Sequence, residues 1–298
     1  MAREKKIVVG AINITMQPHT PELYVQLFRF AFKQRKIVKI NKTVGCLLAG
    51  FSRYKWSDDD IEPVTGDVWR FTHIDMDSPW VNIDTNDIAT DEELNDINIP
   101  ENLRPNGNRF SYIFYPENHM LFYEAYYDGN RISPKVVEKF FIGLFSSDAV
   151  VKKFGEIEVT HFPDYEGLEE ALKIPFKKRI EVTYKRPNPD NFAKKEKKVL
   201  NRMKKLNISR KDEVYIAEKD GSIDMDENLK IDTMIAAKNG SLTIQGRDHN
   251  NKPENYTTKN ALYTHTDYYD PKEEPIILAF MYRITTKLRD LLIDKLTK

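Results

Sequence analysis

Cysteine is nearly absent from the 298 residues: Cys46 stands alone, so no intrachain disulfide can form. It sits between Val44-Gly45 and Leu47-Leu48 in a run that reads as a buried strand, without the polarising neighbour that a reactive thiol needs, and is expected to be packing material. Long hydrophobic runs are missing too. Behind the basic start, with Arg3, Lys5 and Lys6, the apolar stretch covers only Ile7 to Ile12 before Asn13 and Gln17 interrupt it. Such a stretch is too short for a signal peptide or a membrane span. The expectation is a cytoplasmic chain with no direct membrane insertion.

The familiar catalytic signatures are also lacking. Neither a Gly-x-x-x-x-Gly-Lys phosphate loop nor a Gly-x-Gly-x-x-Gly turn occurs, which argues against nucleotide hydrolysis by a known fold. The histidines His19, His73, His119, His161, His249 and His265 are never within one helical turn of each other, against a zincin-type or finger-type metal site. After Pro163-Asp164 comes Glu169, with Ala171 where a restriction-type nuclease would place lysine. The acid pairs Asp75/Asp77, Glu156/Glu158 and Asp224/Asp226 are spacings that 46 acids generate by chance. No catalytic residue, metal ligand or cofactor is expected. Internal repeats are absent as well.

Net charge is the last absence, and it conceals a separation along the chain. From Ser57 to Pro100, thirteen acids face the single base Arg70, a net of −12; from Lys177 to Lys211, fourteen bases face three acids, a net of +11. A basic block of that density suits a phosphate backbone, because each neutralised phosphate releases condensed counterions whatever the base sequence. The bland reading is a solvated lysine face, or pairing of the two segments within the fold or across a dimer. Trp56, Trp69 and Trp80 lie in or beside the acidic stretch, where phosphates would be repelled. They are read as core packing or a partner surface.

Periodicity gives an α+β chain of two lobes, built of mixed or antiparallel sheets with packed helices and a long C-terminal helix. A strand over Lys6 to Met16 leads to a helix capped by Thr20 with Pro21 first, running to about Lys36. Strands are expected over Ile37 to Ile40, Val44 to Phe51 and Val68 to Ile74, followed by a polar surface excursion from Asp84 to Asn108. Phe110 to Tyr115 and Met120 to Tyr127 read as a hairpin. Next come a helix opened by Ser133 and Pro134, a strand over Ile157 to Phe162, and a helix from Tyr165 to Leu172. The N-terminal lobe (1–163) ends near Pro163, and a basic second lobe (164–270) follows. That lobe has a strand over Arg179 to Tyr184, a helix from Asn191 to Leu206, and strands near Glu213 to Ala217 and Ser241 to Arg247 around a helix from Asn228 to Ala237. The closing helix from Pro275 to Leu296 (within 271–298) carries the stripe Ile277, Phe280, Met281, Ile284, Leu288, Leu291 and Leu292, and is expected to pack on the first lobe or on a second subunit.

The segments Gly10-Ala11-Ile12-Asn13-Ile14, Pro18-His19-Thr20-Pro21, Thr65-Gly66-Asp67, Ser78-Pro79-Trp80, Asn98-Ile99-Pro100, Phe154-Gly155-Glu156 and Arg186-Pro187-Asn188-Pro189-Asp190 resemble a bacterial family known as a domain of unknown function. The order of elements from the Phe110 to Tyr127 hairpin through the basic strand and helix to the terminal helix is similar to RexA, the DNA-binding sensor of the lambda phage exclusion system. That resemblance implies a nonspecific DNA-binding homodimer, but it transfers no residue role. The expected function is therefore sequence-nonspecific DNA binding in a phage-defence, abortive-infection or exclusion system. The protein would act as sensor or loader for a membrane-protein or effector partner encoded nearby. The expected backbone contacts are Lys177, Lys178, Arg179, Arg186, Lys194, Lys195, Lys198, Arg202 and Lys205. Two alternatives stand beside it: a metal-dependent nuclease or toxin effector whose magnesium-binding carboxylates lie far apart in sequence, and a protein-interaction scaffold that uses the acidic segment.

Overall fold

The computed structural model describes residues 4–18, 20–53, 62–127, 129–185, 201–203, 205–238 and 240–297. Its first strand, β1 (Lys5–Met16), shows why the sheet must be covered on both faces. Ile12, Ile14 and Met16 enter one core, while Ile7, Val9 and Ala11 enter another. Helix α1 (Pro21–Gln34) starts where Thr20 Oγ1 accepts the Leu23 N–H at 3.3 Å and Pro21 needs no donor. The strands β2 (Ile37–Lys39), β3 (Val44–Arg53) and β4 (Val64–Thr72) then form an antiparallel meander. Cys46, fully buried on β3, has its thiol pushed up to about 12 by burial, in keeping with a packing role.

The acidic excursion carries little regular structure. It has the two-residue strands β5 (Val81–Asn82) and β6 (Asp87–Ile88), and the short helix α2 (Asp91–Asn95), held by a capping box between Thr90 and Glu93. The expected hairpin is β7 (Asn108–Tyr115) and β8 (Met120–Tyr127), followed by β9 (Asn130–Arg131), α3 (Pro134–Phe145), α4 (Asp148–Phe154) and β10 (Ile157–His161). The large sheet runs β10-β1-β8-β7-β4-β3-β2 and curls into a half-barrel, with β9 pairing β8 at the side. Tyr24, Leu27 and Phe28 of α1 and Phe140, Phe141 and Phe145 of α3 fill one of its faces.

The chain then builds a second sheet. Helix α5 (Tyr165–Leu172), β11 (Phe176–Lys185), β12 (Arg210–Ile216), α6 (Glu227–Lys238), β13 (Gly240–Arg247) and β14 (Pro253–Thr257) give the strand order β12-β11-β13-β14. Its own core joins Ile180, Val182, Leu242 and Ile244 with Leu168, Met203 and Ala236. Finally β15 (Thr264–Tyr269) returns to the large sheet and pairs with the first half of β1, from Lys5↔Tyr269 to Gly10↔Thr264. Every ladder among the described residues is antiparallel, so the mixed-sheet option falls away.

The long C-terminal helix is corrected. In its place are α7 (Ile276–Arg283), a π-helical segment (Ile284–Leu288) and α8 (Arg289–Thr297). The cause is visible in the stripe itself. Phe280, Ile284, Leu288 and Leu292 are buried against the second face of the large sheet and recur every four residues. On a regular helix of 3.6 residues per turn, each would step about 40° around the axis from the one before. A wider turn takes up that drift and keeps all four on the sheet. Ile277 and Leu291, also in the expected stripe, are 42% and 49% exposed instead.

Candidate functional site

The basic residues expected to meet DNA divide into three groups. Lys177, Lys178 and Arg179 stand on β11, and each donates a hydrogen bond to a nearby acceptor. Lys177 is buried, its Nζ donates to the Ile174 carbonyl at 2.6 Å, and desolvation lowers its pKa. Lys178 Nζ donates to the Gly221 carbonyl at 2.6 Å, and Arg179 Nε donates to Glu181 Oε1 at 2.7 Å. Arg186, Lys194, Lys195 and Lys198 lie outside the described residues, as does most of the expected helix from Asn191. Arg202 and Lys205 are exposed on a helical turn whose Met203, only 1% exposed, lies in the core of the small sheet. This turn ends at Asn207, whose positive φ of 53° suits a left-handed cap. Further along, Arg210 pairs with Asp212 and Lys211 with Glu213, so carboxylates two residues away offset part of the positive charge.

A second constellation escaped the sequence reading. Beyond the pair Tyr112↔Tyr123, β7 and β8 part: β7 continues against β4 from Asp67↔Ser111 to Arg70↔Asn108, while β8 turns to pair with β9. A register shift between Val8 and Val9 marks a bulge in β8 at the same level. Glu124 stands in this fork. It continues the row of Met120 and Phe122 on the face covered by α7 and the π segment, and is only 2% exposed. Its Oε2 accepts the Ser111 N–H at 3.4 Å, replacing the backbone partner that a continued ladder would supply, while its Oε1 has no hydrogen-bond partner among the described residues.

Neighbouring strands complete the cluster. Ser111 Oγ donates to Asp67 Oδ1 at 2.9 Å, and Arg109 Nε lies 3.9 Å from the same oxygen. The side chains of Asp67 and Arg109 are 28% and 47% exposed, so they form a rim above the buried Glu124. Burial, the largest influence, raises the Glu124 carboxyl to about 7; the Ser111 N–H and Arg109 oppose the rise and Asp67 adds to it. Asp67 is placed by a close approach of backbones. At Gly66 a Cβ would lie 2.3 Å from the Gly50 carbonyl oxygen and 2.8 Å from Tyr112 Oη, so only glycine lets β3 sit this near. The sequence did carry one signal for Glu124: it is the lone charge in Met-Leu-Phe-Tyr-Glu-Ala-Tyr-Tyr, at a position whose parity points to a core.

Trp69, opposite Leu47 on the same open side of the sheet, is 38% exposed rather than core-packed, and Trp56 lies outside the described residues. Residues 5–284 match the family described as DUF4747, a domain of unknown function. The chain belongs to that family. The DUF4747 match spans both sheets and the fork, and ends at the first residue of the π segment. No curated protein matches the chain. Among the described residues, no helix is long and apolar enough to cross a membrane.

Proposed function

We propose that the protein binds DNA without sequence preference, through phosphate contacts made by the basic segment between β11 and β12. One observation carries the reading: Met203 is buried in the core of the small sheet while its neighbours Arg202 and Lys205 face solvent. A segment docked by its apolar residue presents its cations outward at helical spacing, the arrangement that follows a phosphate backbone. The proposed contacts also include Arg186, Lys194, Lys195 and Lys198. Lys177, Lys178 and Arg179 serve the small sheet in this reading. Acting as a homodimer, the protein would report bound DNA to a partner in a phage-defence or exclusion system.

Fluorescence anisotropy with unrelated duplexes tests the proposal. Affinity should be similar for all sequences and should fall steeply with salt. Reversing Arg202 and Lys205 to glutamate should weaken every duplex alike and reduce the salt slope by roughly one unit per lost contact. Absence of binding at about 50 mM salt, where backbone contacts are strongest, would sink the idea.

A further inference from the structure

The fork between β7 and β8 brings together two carboxylates from distant parts of the chain, joined through one serine that donates its N–H to Glu124 and its hydroxyl to Asp67. We propose that Asp67, Glu124 and the Ser111 hydroxyl hold one hydrated divalent cation of the magnesium class, with Arg109 placed to take a phosphate oxygen that the ion bridges.

Three observations converge on this cluster. Glu124 is 98% buried, yet one of its carboxylate oxygens meets no donor among the described residues, an arrangement that costs free energy until a cation or donor arrives. Asp67 adds a second carboxylate on the same side of the sheet, and two like charges favour a shared counter-ion. The rim is open at Asp67 and Arg109, so a hydrated ion and a phosphate have an approach that Glu124 alone does not offer.

The donor set selects the ion. No group of three or more His, Cys, Asp or Glu gathers among the described residues, which falls short of the sets that zinc or calcium takes from protein. Magnesium keeps several waters and needs one or two carboxylates, with substrate phosphate completing its shell. Arg109 supplies the planar donors that pair with phosphate oxygens. The phosphate half of this proposal rests on the DNA-binding reading, whereas the cation half does not.

Manganese is the probe. Mn2+ is added alone to the full chain after EDTA treatment and removal of the chelator, the free ion is followed by electron paramagnetic resonance, and Mg2+ serves as competitor. One saturable site displaced by Mg2+ is expected, weakened at least about tenfold in Glu124→Gln and in Asp67→Asn. Circular dichroism and melting confirm the fold of each variant, and the Asp67 side chain lies at the partly exposed rim, so the second variant answers if the first does not fold. No saturable site in the unaltered chain, or the same affinity in both folded variants, overturns the proposal and leaves the buried oxygen to a water. DNA affinity measured separately, both in EDTA and with Mg2+ present, distinguishes the two readings: absence of binding in both conditions removes the proposed function and leaves the cation site standing.

Discussion

The Glu124 carboxyl, on a residue 2% exposed and with one oxygen unpartnered among the described residues, couples the fold to pH. Below the ordinary glutamate value of 4.5, Glu124 carries its proton in both the folded and unfolded chain, and its burial costs no ionisation. Between 4.5 and about 7 the unfolded chain releases the proton while the folded one keeps it, so stability falls as pH rises; above 7 the loss is complete and level. The full loss is about 3 kcal/mol. Thermal melts in EDTA from about pH 4 to about pH 8 should show this decline in the unaltered chain and not in Glu124→Gln, which should be the more stable of the two at the alkaline end. Parallel pH profiles for the two proteins would assign the effect elsewhere. Gly66→Ala, whose new methyl would be forced onto the Gly50 carbonyl, should lower the denaturant midpoint by the equivalent of about 1–3 kcal/mol.

At the scale of elements, the terminal π segment makes its own forecast. Removing the exposed Lys287 converts the four-residue recurrence of Phe280, Ile284, Leu288 and Leu292 into the spacing i, i+4, i+7, i+11, which stays on one side of a regular α-helix. The deletion variant should therefore still unfold cooperatively and gain regular helix by circular dichroism. Loss of cooperative unfolding would mean that the wide turn itself is needed, for instance to hold Arg289 over the Tyr115 ring. Elements whose side chains alternate or repeat cleanly were legible from sequence: β7 and β8 through their aromatics, α3 through Val137, Phe140, Phe141 and Leu144. By contrast β15, Thr-His-Thr-Asp-Tyr-Tyr, buries only Tyr269 and carries no alternation to read. The fork was beyond reach for another reason. It depends on where two ladders stop, and Asp67, Arg109, Ser111 and Glu124 become neighbours only once β4, β7 and β8 take their register. Met203 and the cations beside it were legible, because helical spacing alone separates them.

Across the whole molecule, the charge separation along the chain is partly offset locally: Arg179 with Glu181, Arg210 with Asp212 and Lys211 with Glu213 are pairs within the basic region. Replacing Lys177, Lys178 and Arg179 together with glutamine should accordingly lower the melting temperature and leave the salt slope of DNA binding unchanged, the opposite of the Arg202 and Lys205 reversal. Light scattering at micromolar concentration tests the dimer, and a monomer removes it. The return of β15 to β1 bears on how the chain is made. Lys5 to Gly10 receive their β15 partners roughly 260 residues after they leave the ribosome, a wait on the order of ten to fifty seconds at ordinary elongation rates. Throughout that interval the nascent chain offers an unpaired strand edge to any neighbour. Holdase chaperones should therefore engage ribosome-bound chains halted before Thr264 and release them once Tyr269 has emerged.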